Sequence, residues 1–234
     1  AIAVLATQAT CASNAYPKAI AKLLPGTPAV AQQGSASLAA AIEGDPSVNE
    51  SVGEIIDLEV KALLNHRMEN TSNPPIDTLV LGCTHYPLVQ TEIVDALRRY
   101  RKFFAADGSQ PFRPLLAEQV LVVDPARYTA QDLWRALDAA KLRLPAGAKP
   151  VADRDLFFIS VANPAWPGVQ LEGDGSLTKD FKYGRDAGIP GREDTVIVPM
   201  TIDGLPASAA NLVRTRLPKV AQSMGATAAP TPAP

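Results

Sequence analysis

In the run LVLGCTHYPLV, residues 79–89, a cysteine and a histidine stand two positions apart with a threonine between them, directly after a continuous apolar stretch. A thiol whose pKa is drawn toward neutral is a nucleophile or a base, and an imidazole beside it can share its proton. The threonine adds a hydroxyl and a backbone N–H suited to a carboxylate. The chain has only two cysteines, Cys11 and Cys83, and two histidines, so Cys83 and His85 account for half of each. Spacing alone leaves two readings open: a reactive pair, or a cysteine packed as a small apolar residue beside a structural histidine.

Such a pair needs a rigid strand before it and a helix after it. Residues 78–82 form a β-branched and leucine run that suits a buried parallel strand, and a helix is expected over 87–99, entered at Pro87. Cys83 then falls at the carboxyl end of a strand, the edge at which open α/β sheets bind ligands. The unpaired N–H groups of a helix start there stabilise anions and a thiolate. Strands are also expected at 2–6, 28–32, 120–124, 156–161 and 196–202. Helices are expected at 14–24 after Ser13 as cap, at 51–68, at 130–141 and at 208–224, with a loop or short helix at 35–42. The helix at 51–68 is the clearest amphipath, presenting Val52, Ile55, Ile56, Leu58, Leu63 and Leu64. The alternation predicts an α/β fold of βαβ units on a parallel sheet. Residues 163–194, rich in Gly, Pro and Asp, read as a surface excursion, and the terminal GATAAPTPAP as a low-complexity, disordered tail.

The full string GCTHYPL, Gly82 to Leu88, closely resembles the second active-site motif of the glutamate racemases. Two weaker matches lie upstream. IAVLATQATCASNAY resembles the family's strand followed by a Thr-x-x-Thr turn, a Ser and a Tyr, at Thr7, Thr10, Ser13 and Tyr16; ASLAAAIEG places Glu43 at the family's acidic residue. Downstream, VLVVDPARYTAQDL resembles a returning strand that ends Val-Asp-Ser-Gly, with Pro125 in place of the serine and the glycine missing. The resemblance spans roughly residues 1–160 and is strong only at 79–89. It implies a pseudo-symmetric fold of two α/β domains with the first incomplete: residues 1–118 as the second racemase domain, 119–162 as a return into the first, and 163–234 as a divergent extension. The family's Asp-Ser-Gly and Cys-Asn-Thr turns do not occur, and the chain does not begin with Met, so a fragment with one of the two catalytic cysteines is expected.

Inverting an α-carbon without a cofactor takes two acid/base groups, one on each face of the substrate, and thiols suit both tasks. By resemblance, Cys83 is one base, His85 assists it, Glu43 orients His85, and Thr84, Thr7 and Thr10 hold substrate carboxylates; no cofactor and no metal are implied. Cys11 lies inside the Thr-x-x-Thr turn, where the family does not place its base, and is read as a small buried residue. The implied activity is conversion of L- to D-glutamate for the peptidoglycan of the bacterial cell wall. Two alternatives stand beside it: a related aspartate or other amino-acid racemase, and a noncatalytic binding module that keeps the fold.

Composition is consistent with this picture. With 22 basic against 24 acidic residues and 47% hydrophobic content, no charge excess marks nucleic acid or an anionic membrane as a partner. No apolar run has the length of a bilayer span. The partner expected is a small molecule, with a homodimer as an option, and sparse cysteine fits reduced thiols in a cytoplasm.

Overall fold

The chain's computed structural model describes residues 1–26, 30–45, 47–69, 73–145, 147–148, 156–173, 177–184, 193–205 and 207–226. Strands β1 (Ile2–Thr7), β2 (Ala31–Ser35), β3 (Ile76–Gly82) and β4 (Leu116–Val123) form one parallel sheet in the order β2-β1-β3-β4. The register pairs Ala3 with Leu79, Leu5 with Leu81 and Ala6 with Gly82. All four of Ala3, Leu5, Leu79 and Leu81 are buried, and strand alternation puts them on one face. On the other face Val4, Ala6 and Val80 form a small core, packed by Ile2, Cys11, Tyr16, Val30 and Val123. Burial of both faces is why these strands read as unbroken apolar runs.

The connections are helical. α1 (Gln8–Ser13) and α2 (Ala15–Leu23) follow β1; α3 (Leu38–Glu43) and α4 (Val52–Met68) follow β2; α5 (Gln90–Arg101) follows β3; α6 (Pro125–Ala139) follows β4. α4 starts at a capping box in which Ser51 accepts from the Glu54 N–H and the Glu54 carboxylate accepts from the Ser51 N–H. It packs against β2 and α5.

Sequence expectations and structure differ at identifiable places. One helix was expected from residue 14. The chain instead enters α1 at once after β1, with Thr7 as N-cap, and breaks at Asn14 in the left-handed region, φ 52°, before α2. The second strand lies at Ala31–Ser35 rather than 28–32, whose residues 28 and 29 lie outside the described ones. Leu58 was assigned to the apolar face of α4 but is exposed; Val60 and Arg67 are the buried residues that complete that face. Pro87 opens a 3-10 turn, Tyr86–Val89, and α5 proper begins at Gln90.

The chain divides into two compact units, Ala1–Arg143 and Leu144–Pro234. The second contains an antiparallel ribbon of β5 (Phe158–Ala162) and β6 (Thr195–Pro199), a short α7 (Lys179–Gly184), and α8 (Ala207–Arg216) and α9 (Pro218–Ala226). Of the segment edges expected from sequence, 118/119 falls within β4 and 162/163 at the end of β5. One helix was expected over 208–224; Pro218, which lacks an N–H and disfavours helical geometry at Leu217, separates α8 from α9. The expected tail lies largely outside the described residues. Among the described residues no helix is long and apolar enough to cross a membrane.

Candidate active site

Gly82 ends β3 because nothing larger fits. A Cβ there would lie 2.9 Å from the Ala6 Cβ, 2.9 Å from Tyr16 Cε2 and 3.3 Å from Val4 Cγ1. Cys83, Thr84 and His85 then form a turn at the carboxyl edge of the sheet. The Tyr86 N–H donates to the Cys83 carbonyl at 3.2 Å, and the Leu88 N–H to the His85 carbonyl at 3.0 Å. Tyr86 itself is buried, and its hydroxyl donates to the Ala6 carbonyl at 3.1 Å, tying the turn to the end of β1. Burial, followed by the charge of the Cys83 thiolate and of Glu59, pushes the Tyr86 phenol far above its ordinary range, so it remains a donor.

The turn aims two reactive groups at each other. Cys83 Sγ lies 3.6 Å from His85 Nδ1, and His85 Nε2 lies 2.6 Å from Glu43 Oε1. Glu43 arrives from the last residue of α3, which ends at Gly44 with φ 76°, where the Gly44 N–H caps the Ala40 and Ala41 carbonyls. At the start of this segment the buried Ser35 hydroxyl accepts from the Leu38 N–H. The His85 side chain is 30% exposed and that of Glu43 58%, so the pair is screened by water and its main effect is orientation. With Nε2–H donating to Glu43, Nδ1 is left as acceptor of the thiol proton.

Of the residues singled out by sequence, Cys83, His85 and Glu43 are thus brought into one line. Thr84 is exposed within the turn. Thr7 ends the neighbouring strand and caps α1, Thr10 lies in the first turn of α1, and their hydroxyls are 2.9 Å apart. Cys11, on α1, is half-buried on the face lined by Val4, Ala6 and Val80. Burial raises its pKa, a hydrogen bond from the Ala6 backbone opposes the shift, and the charge of Glu59 adds to the rise. A cavity of about 340 Å³ lies elsewhere, between α5 and the start of β4, lined by residues that include Leu97, Arg101, Leu116 and Val120.

Sequence reasoning assigned no role to Tyr16, Ser35 or Tyr86. For Tyr16 the usable signal was Gly82 immediately before the cysteine, since a glycine closing a buried strand marks a close approach by another group.

The site defines an α/β protein with a thiol, an imidazole and a carboxylate in series at the carboxyl edge of a parallel sheet, an arrangement suited to moving a proton. Comparisons with known proteins narrow the class. The chain is similar to the glutamate racemase of Limosilactobacillus fermentum, 31% identical over 96 residues that cover 41% of this chain and 32% of that protein. It is 30% identical over 167 residues to the glutamate racemase of Synechococcus sp. strain CC9605, covering 70% of this chain and 51% of that protein. A crystal structure of glutamate racemase isoform RacE1 from Bacillus anthracis matches with 27% identity and a TM-score of 0.42 over 59% of this chain and 42% of that one. No protein-family model matches. The chain is therefore glutamate racemase-like, and it spans from about a quarter to about half the length of the relatives it matches.

Proposed function

We propose that this chain carries one proton-transfer centre of a cofactor-independent glutamate racemase. The observation that supports this best is the series Cys83 Sγ, His85 Nδ1, His85 Nε2, Glu43 Oε1, with spacings of 3.6 and 2.6 Å. The Cys83 thiolate removes the α-proton from one face of glutamate, leaving the electron pair at the α-carbon delocalised into the adjacent carboxylate. A second acid/base group, outside the series gathered here, returns a proton to the opposite face, and in the reverse direction the Cys83 thiol donates. His85 relays the proton between turnovers, and Glu43 holds its tautomer. Thr84, with Thr7 at the adjacent strand end and Thr10 in the first turn of α1, supplies donors to the substrate carboxylates. The sites of action we infer are a bacterial cytoplasm and the supply of D-glutamate for peptidoglycan, as the similarity to bacterial racemases supports.

The test is α-proton exchange of separate D- and L-glutamate in deuterium oxide, followed by proton NMR. We expect the chain to exchange one enantiomer in preference to the other, and Cys83→Ser to reduce that rate by about 10²-fold or more. His85→Asn should give a smaller loss. Exchange that is indifferent to Cys83→Ser rules out Cys83 as the base and leaves the turn a binding element.

A further inference from the structure

We propose that Tyr16 is a positioning residue for Cys83, acting through the bare Cα of Gly82. This rests on the reading of Cys83 as the group that moves the proton.

The two cysteine-facing braces come from different elements. His85 is fixed from α3 through Glu43. The strand end just before the sulfur is fixed from α2, where the edge of the Tyr16 ring occupies the space that a side chain at position 82 would fill, 2.9 Å from the ideal Cβ. Placing that ring takes several local choices. Asn14 adopts φ 52° to break the helix, the Ser13 hydroxyl accepts from the Ala15 N–H at 3.2 Å, and Asn14 Oδ1 accepts from Gln32 Nε2 on β2 at 2.9 Å. The break turns α2 so that Tyr16 packs on Val4, Ala6 and Val80.

The ring also lies within electrostatic reach of the sulfur. Burial raises the Tyr16 pKa, and the Cys83 thiolate raises it further. Tyr16 is thus neutral wherever the thiolate works, and its ring edge covers Gly82, the residue directly before the one that bears it. The other titratable groups around Cys83 are His85 on the turn, Glu43 on α3 and Tyr86, with Cys11 on α1 and Glu59 on α4 acting on Tyr86.

Removing the ring should let water reach the thiolate and favour it. The experiment is alkylation of the intact chain by iodoacetamide from about pH 6 to about pH 10, with the Cys83 peptide followed by mass spectrometry. Tyr16→Phe keeps the ring and should stay within about twofold of the parent at every pH. Tyr16→Ala should shift the apparent midpoint downward and raise the rate near neutral pH by about threefold or more. Tyr16→Leu keeps apolar contact with Val4 and Ala6 without the flat ring and should fall between them. If Tyr16→Ala fails to fold by circular dichroism, Tyr16→Leu decides. A folded ring-deleted chain with the parent's midpoint and plateau overturns the proposal, as does a Phe variant that shifts as far as Ala. Alkylation needs no substrate, so a chain that exchanges no α-proton still reports on Tyr16, and the two failures are separate results.

Discussion

The two compact units treat apolar side chains in opposite ways. In the first, Leu5 and Leu81 are sealed between helices and strands; in the second, Phe158 on β5 and Ile197 on β6 are 55% and 75% exposed. The cause is layering. A parallel sheet connected by helices covers both of its faces, whereas a two-stranded antiparallel ribbon covers neither by itself. The second unit is not without a core, since Ala210 on α8 and Met224 on α9 are buried. Its strands simply take little part in it. Precise placement of a side chain needs backbone held from both faces, and among the described residues the first unit holds a strand end that way: Gly82 is pressed by Tyr16 from one helix, and Tyr86 is bonded to the neighbouring strand.

The largest effect expected follows from that contrast. Leu81→Ala should cost about 2–5 kcal/mol in denaturant unfolding, because a fully buried leucine loses its transfer energy and leaves a cavity. Its register partner Leu5 and the neighbouring Leu79 cannot both move to fill it. A loss below about 1 kcal/mol would mean that the sheet is loosely packed and that its difference from the ribbon is one of degree.

Next in size is Tyr86→Phe. The ring remains, but the Ala6 carbonyl loses its donor, a cost of about 1 kcal/mol. Proton exchange should fall as well, because the turn bearing Cys83 and His85 is no longer tied to β1. Unchanged stability and exchange would show that the turn is held by Gly82 and Tyr16 alone.

A third prediction concerns pH. Burial and the bond to Asp57 raise the Tyr100 pKa to about 12. The Tyr100 hydroxyl is also the main cause lowering the Asp57 pKa, with Arg99 adding to it. A phenol whose folded pKa exceeds the unfolded value of about 10 contributes stability that is complete below that value. This contribution is lost as pH rises through the folded pKa. Asp57 works in the other direction, contributing above the unfolded carboxylate value and losing its effect as pH falls through the lowered one. The midpoint of urea unfolding should therefore decline from about pH 10 upward. Tyr100→Phe should remove part of that decline while costing about 1 kcal/mol or less at neutral pH. Tyr16 and Tyr86, also raised, add to that decline. A Tyr100→Phe profile with the parent's alkaline slope would show that Tyr100 titrates normally.

What sequence made legible was local. The run before Cys83 announces a strand, and the residues after it a turn and helix, so the thiol and imidazole could be set at a sheet edge from spacing alone. Glu43, 42 residues from His85, has no local signal, and only resemblance to a family pointed to it. α1 was missed because Gln8–Ser13 is short, lacks an acidic first turn and carries the β-branched Thr10, so nothing distinguished it from a loop. Leu58 was misplaced because the apolar residues of α4 outnumber the positions its buried face offers, and the buried Arg67 gives no apolar signal at all. Its guanidinium donates to the Asn73 and Pro74 carbonyls just beyond the helix, contacts that exist only after the chain has turned.

The smallest effect lies in the ribbon and bounds the comparison from the other side. Ile197 pairs with Ser160 across β5 and β6. Ile197→Thr keeps a β-branched side chain, so strand preference is retained, and at 75% exposure little apolar area is there to lose. The change in stability should stay within about 0.5 kcal/mol by denaturant unfolding, and amide exchange of β5 and β6 should be unaltered. A cost approaching that of Leu81→Ala would mean that Ile197 is covered in solution, by a second copy of the chain or another partner. Sedimentation of the parent and the variant would then tell the two apart, because only self-association makes the parent's mass concentration-dependent and the variant's not.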